Sequence, residues 1–311
     1  RGVALGLFSP DLGHDYQPQL EEIAALGATH VAVVVTYFQH DVFSNEIFAD
    51  KRRTPTRTSI ERTLGTAKQL GLSTMLFPYV RVDKKHEPSH WRGTLQPSNR
   101  DEWYRSYTLW IQSMAQIAHL QEVDILSLGS EMSTMDVDTK RWVDITRVAR
   151  TQYRGKIIYS ANWDHYERVG FWSELDLIGL TGYFELVPPA ERDPSLQQIV
   201  EGWREWHGRL MRWQARQGRP LLMTEVGYRS NDGAAAFPWR WGEDDHQVDL
   251  EEQRRLYEGF ARVWSGEPRL GGVFFWNWWG EGGPQCHDYT PRNKPAADVL
   301  RRWLAGELTS G

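Results

Sequence analysis

Short β-branched runs alternate with longer amphipathic runs eight times in 311 residues, which predicts an α/β protein built as one (β/α)8 TIM barrel over residues 1–311. Parallel neighbours need a long crossover, usually a helix, so strict alternation implies a parallel sheet. Eight such units favour closure over an open sheet. The open rival, a doubly wound fold, would carry a glycine-rich phosphate turn after an early strand. The first turn here, Ser9-Pro10-Asp11-Leu12-Gly13-His14, contains no G-x-G-x-x-G. No linker, repeat or low-complexity segment divides the chain.

Val3–Ser9 reads as the first strand and Gln17–Leu26 as the first helix, stopped by Gly27. His30–Phe38 is the clearest strand, carrying Val31-Ala32-Val33-Val34-Val35. Ser59–Leu70 is a helix stopped by Gly71, and Ser73–Val80 is strand three. Asp101–Leu120 is a long helix with Trp103, Tyr107, Trp110 and Met114 at three- and four-residue spacings. Asp124–Gly129 and Lys156–Ala161 are strands four and five, with helix Thr139–Gln152 between them and a weak helical stretch at His165–Trp172 after them. Leu177–Tyr183, Pro220–Gly227 and Gly271–Trp278 complete the strands. Ser195–Gln217, Asp249–Trp264 and Pro295–Leu304 complete the helices. Long connections follow strand three (81–100) and strand seven (229–248). Both leave strand C-termini, the barrel face on which active sites form.

Composition removes several function classes. Lys+Arg total 36 and Asp+Glu 41, a net charge of −5 with no basic block, so nucleic acid and anionic membranes are poor partners. No apolar run approaches the roughly 20 residues of a membrane span. The single cysteine, Cys286, excludes an internal disulfide and every Cys-based zinc motif. Arg1 in place of an initiating Met suggests a trimmed or mature chain; a secreted, periplasmic or cell-surface location is expected, with the cytoplasm as the alternative. Aromatic content is high, with 16 Trp, 12 Tyr and 11 Phe. Flat indoles suit sugar rings, whose C–H faces stack and whose hydroxyls bond at the edge; the competing reading is core packing.

Chemistry in such a barrel is presented at strand C-termini, which shortens the search. Those positions hold Tyr37, Arg81, Ser130-Glu131, Asn162-Trp163, Tyr183, Glu225 with Tyr228, and Trp276 with Trp278. Glu131 and Glu225 each follow an otherwise apolar strand, where burying a carboxylate without partners is costly. Strands four and seven face each other across the mouth. Two carboxyl groups about 5–5.5 Å apart, set among aromatic rings, are what retaining glycoside hydrolysis requires. One attacks the anomeric carbon; the other donates a proton to the leaving oxygen and then activates water. No metal and no cofactor is needed, and the expected partner is an oligosaccharide or polysaccharide.

The strand-seven segment Leu222-Met223-Thr224-Glu225-Val226-Gly227-Tyr228-Arg229-Ser230 and the strand-eight segment Gly272-Val273-Phe274-Phe275-Trp276-Asn277-Trp278 resemble glycoside hydrolase clan A, and within it glycoside hydrolase family 113. That resemblance implies an endo-β-1,4-mannanase. It implies Glu131 as acid/base, Glu225 as nucleophile, Tyr183 as the tyrosine that bonds the nucleophile, and Trp276 as the floor under the sugar. The clan has Asn before its acid/base, whereas this chain has Ser130; a serine offers one donor instead of two, and Asn162 is the candidate substitute. The departure keeps two alternatives open: a hydrolase or transglycosylase of another β-hexose or amino-sugar polymer, and a non-catalytic carbohydrate-binding barrel. Within the pair, Glu225 is expected to be ionised and Glu131 to hold the proton.

Other motifs compete weakly. His86-Glu87-Pro88-Ser89-His90 has the letters of a zinc-protease H-E-x-x-H, which requires a helix that Pro88 opposes. Glu243-Asp244-Asp245 reads as a solvated acidic run, with calcium binding as the alternative. Trp239, Trp241, Trp278 and Trp279 are candidate sugar platforms, and Asp164, Glu281 and Asp288 lesser carboxylates of the cleft. There is no G-x-S-x-G elbow and no phosphate-binding Walker sequence.

Overall fold

The computed structural model describes residues 1–240 and 247–308; Trp241 and the run Glu243-Asp244-Asp245 lie outside the described residues. The strands are β1 (Gly2–Gly6), β2 (His30–Gln39), β3 (Ser73–Val82), β4 (Ile125–Ser130), β5 (Lys156–Ala161), β6 (Ile178–Thr181), β7 (Leu221–Val226) and β8 (Leu270–Phe275). They pair in chain order, all parallel, and β1 closes onto β8. The helices are α1 (Gln17–Ala25), α2 (Arg57–Gln69), α3 (Arg100–Leu120), α4 (Thr139–Gln152), α5 (Leu196–Gln217), α6 (Leu250–Trp264) and α7 (Pro295–Leu304). The expected closed (β/α)8 barrel is therefore present. Among the described residues, no helix is long and apolar enough to cross a membrane.

One expected element differs. His165–Trp172 is not an α-helix: two short 3-10 turns, Tyr166–Arg168 and Trp172–Glu174, cover the β5–β6 crossover. Here packing prevails over helical periodicity. The Tyr166 ring lies edge-on to Trp213 of α5 at 4.7 Å, and the Trp172 indole N–H donates to the Tyr166 carbonyl at 3.1 Å. Two helix starts also move inward by one residue. Ser195 and Asp249 are caps outside their helices, their side chains accepting from the backbone N–H groups of Gln198 and Glu252.

Two apolar layers hold the barrel. Ala4, Ala32, Val34, Met75, Phe77, Ile158 and Leu222 fill its interior. The larger layer lies between strands and helices, and most of the tryptophans are there. Trp103, Trp142, Trp203, Trp264 and Trp303 are buried, which corrects the emphasis on sugar stacking. Several of their N–H groups bond inside the fold: Trp103 to Gln39 at 2.8 Å, Trp142 to the Met135 carbonyl at 3.0 Å, and Trp303 to Ser265 at 2.9 Å. Satisfied in this way, an indole can be buried whole.

Candidate active site

Two irregularities in the sheet build the mouth. Along β7, strict alternation would put Leu222 and Thr224 inside and Glu225 outside with Met223. The register of β7 slips against β6 near Thr181 and against β8 between Met223 and Val226. This bulge turns Glu225 inward, while Val226 and Met223 stay in the outer layer. Along β4 the slip falls between Ser127 and Ser130. Gly129 takes φ +149°, and a Cβ there would stand 2.2 Å from the Tyr107 hydroxyl. Glu131 follows with φ +55°, a left-handed conformation costing a non-glycine residue about 1–2 kcal/mol. Its backbone N–H is anchored to the Ser160 carbonyl at 2.8 Å.

The bulges bring the two glutamates together. Glu225 is 1% exposed and Glu131 4%. The Tyr183 hydroxyl donates to Glu225 Oε2 at 3.0 Å, and the Ser130 hydroxyl to Oε1 at 3.2 Å. Ser130 thus couples the residue next to one carboxyl directly to the other. Behind it, Ser130 reaches Ser160 at 3.4 Å, and Ser160 meets Thr224 at 2.5 Å. Glu131 is paired through Oε2 with the Arg92 guanidinium, which lies 4.0 Å over the Tyr79 ring and 5.3 Å from that of Trp91. Tyr79 stacks on Trp276 at 5.9 Å, so rings floor the space beside the carboxyls. The Trp276 N–H is buried without a partner among the described residues.

Burial pushes the Glu225 carboxyl up to about 8; the nearby Glu131 adds to this, while Arg92, Tyr183 and Ser130 oppose it. The sequence reading places the proton on Glu131. Burial, with the charge of Glu131 beside it, drives Glu225 toward its neutral form, and the Arg92 guanidinium engages Glu131 directly. Deep burial likewise keeps the Tyr183 phenol neutral.

The remaining sequence candidates divide. Trp163 stacks on Trp239 at 5.0 Å at the rim. Asn162 is committed locally, donating to Asp164 at 2.8 Å and accepting from the backbone N–H of Trp163 at 3.1 Å. Arg81 is exposed at the end of β3. Three candidates sit in the helix layer instead of beside the carboxyls. Tyr37 stacks on Trp110 of α3 at 4.8 Å; Tyr228 accepts from Trp203 of α5 at 3.1 Å; Trp278 donates to Glu22 of α1 at 2.7 Å. For Tyr37 the reason is parity, since it shares the outward face of β2 with Val33 and Val35. His86 and His90 lie in non-helical chain with rings 6.1 Å apart, and His86 is bonded to Asp41 at 3.2 Å, so the zinc-motif letters lack the helical frame they need. Sequence reasoning missed Arg92. It lies in the long connection after β3 and at no strand end, so a reading of strand C-termini selects Arg81 in its place.

A closed barrel that gathers two buried acidic side chains on an aromatic floor at its C-terminal mouth has the architecture of the barrel glycoside hydrolases. The model of Glycoside Hydrolase Family 113 matches residues 13–290, so the chain belongs to that family and is a glycoside hydrolase. Solved structures share the fold. The GH113 β-mannanase AaManA from Alicyclobacillus acidocaldarius, in complex with ManMIm, superposes with a TM-score of 0.86 at 24% identity, covering 98% of this chain and 96% of that one. A GH113 β-1,4-mannanase superposes at 0.87 with 22% identity, covering 98% of each chain. A β-glucuronidase from Ruminococcus gnavus reaches 0.64 at 15% identity, over 97% of this chain and 50% of that one. No curated protein matches the chain.

Proposed function

We propose that the protein is a retaining, endo-acting β-1,4-mannanase in which Glu225 is the nucleophile and Glu131 the acid/base. The observation that carries the reading is the cradle around Glu225: Tyr183 on one oxygen, Ser130 on the other, and Glu131 next in the chain to Ser130. Both hydroxyls donate, so they favour the carboxylate, the nucleophilic form. In the first step Glu225 attacks the anomeric carbon as the glycosidic C–O bond breaks, and the leaving oxygen takes the proton of Glu131. In the second, water attacks the same carbon, Glu131 takes a proton from it, and the Glu225 ester bond breaks. Mannan as the polymer is supported by the family and by the β-mannanases among the similar structures. Endo action is carried over from the family resemblance.

The test is a product profile on β-1,4-mannan and mannooligosaccharides, with the anomer followed by NMR. Internal cleavage with the β-anomer formed first is expected. Glu225→Ala should abolish turnover on every substrate. Glu131→Ala should mainly spare aryl β-mannosides with excellent leaving groups, which need little protonation. Mannan bound with no bond cut would leave a carbohydrate-binding barrel, and first release of the α-anomer would remove the retaining mechanism.

A further inference from the structure

We propose that Arg92 is the charge-placing residue of the carboxyl pair: its guanidinium, held by Tyr79 and Trp91, supplies the positive charge against which Glu131 and Glu225 share one proton. The inference rests on the assignment of those two glutamates as the reacting pair.

The geometry is specific. Arg92 opens a 3-10 turn, Arg92–Thr94, in the connection between β3 and α3. Its side chain is 14% exposed, unusually covered for an arginine. Two rings position the guanidinium, at 4.0 Å for Tyr79 and 5.3 Å for Trp91, and Tyr79 is itself stacked on Trp276. The turn is tied down locally: the Trp91 backbone N–H donates to Thr94 Oγ1 at 3.1 Å, and that hydroxyl also reaches the Ser89 carbonyl at 2.9 Å. Nη2 meets Glu131 Oε2, while Nε is buried without a partner among the described residues. A cation placed this way is built into the floor of the site, not a stray surface charge.

Two carboxylates buried side by side repel, and each loses hydration. A fixed guanidinium makes one negative charge tolerable there. Arg92 acts on both carboxyls, and its charge opposes the burial that pushes Glu225 up. Other groups also face the pair. Tyr79 of β3, Tyr183 of β6 and Tyr289 of the β8–α7 connection are kept neutral by burial. Arg81 and Arg229 act on Tyr79 and Tyr289 respectively.

The role differs between the two steps. Before glycosylation the pair carries one proton and one negative charge, and the guanidinium lets that charge exist close to Glu225. Once Glu225 is an ester it is uncharged, and Glu131 alone carries the negative charge while it draws a proton from water. The observed pairing of Arg92 with Glu131 is the contact this second state requires. On this proposal Arg92 holds Glu131 more weakly as the acid than as the base.

The experiment is the pH dependence of kcat/KM on a mannooligosaccharide for the wild type, Arg92→Gln and Arg92→Lys. Removing a cation within contact of a carboxyl pair moves apparent pKa values by about 1–3 pH units. The acidic limb of Arg92→Gln should rise by about one unit or more, with a loss of at least about tenfold at pH 6 that shrinks at higher pH. Arg92→Lys, which keeps the charge without the planar fork, should hold the limb near its wild-type position. A loss by the same factor at every pH in both variants would mean a packing role and overturn the proposal. Azide rescue of Glu131→Ala on an activated aryl β-mannoside, run alongside, separates the two ideas. Rescue with an unmoved Arg92→Gln limb sinks only the Arg92 role; no rescue, with Glu131→Ala at full activity on mannan, sinks the glutamate assignment itself.

Discussion

Glu225→Gln should make the protein more stable as well as inactive. The amide keeps the side-chain shape and can still bond Tyr183 and Ser130, and it removes the ionisation. The Glu225 carboxyl rises from its ordinary 4.5 to about 8 on folding, chiefly through burial and then through Glu131. A group raised in this way contributes stability that is fully present below about pH 4.5 and is lost as pH climbs through about 8. At about 1.4 kcal/mol per pH unit the loss approaches 5 kcal/mol. The proton belongs to the pair rather than to one residue, so roughly 2–5 kcal/mol is the working range. In a domain of this size, about 2 °C of Tm accompanies each kcal/mol, which gives roughly 4–10 °C. Calorimetric scans of both proteins from pH 4.5 to 8.5 should show a small difference at the acid end and a widening one toward the alkaline end. Asp136 and Glu252, each raised to about 7 mainly by burial, give both proteins the same background slope, which cancels in the difference. A Tm difference that does not change with pH would show that Glu225 ionises normally and would refute the reasoning.

Tyr183→Phe removes the 3.0 Å hydrogen bond to Glu225. A bond to a charged acceptor contributes about 1.5–3 kcal/mol, so the acidic limb of kcat/KM should move up by about 1–2 pH units, read from initial rates across pH. Gly129→Ala places a Cβ 2.2 Å from the Tyr107 hydroxyl at φ +149°, and should cost about 3 kcal/mol or more in urea unfolding while lowering kcat. Chelation should leave turnover unchanged, because both proposed steps are carried by carboxyl groups; loss of activity in EDTA, restored by a divalent ion, would contradict the mechanism.

The strand order, the closure and the two glutamates were legible in the chain because each has a local signal. β-Branched runs end in a polar residue, amphipathic runs separate them, and glycines such as Gly27 and Gly71 stop helices. β5, α4 and α7 fall at their expected bounds for that reason. Tyr183 came from its strand-end position and the family resemblance, and it does meet Glu225. Strand-end position alone assigns Tyr37, Tyr228 and Trp278 to the mouth, because it does not say which way each ring turns. Their rings meet α3, α5 and α1 instead, Tyr37 by stacking on Trp110 and Tyr228 and Trp278 through hydrogen bonds to Trp203 and Glu22.

By itself, then, the linear order of residues determined the barrel and nominated the acidic pair, because periodicity and capping are short-range properties of neighbouring residues. Only the tertiary structure decided which way each side chain turned. A bulge between Met223 and Val226 reversed the face of Glu225, and a loop arginine far from any strand end reached Glu131. Both depend on contacts between segments distant in the chain, formed only when the barrel closes, and no local pattern encodes them.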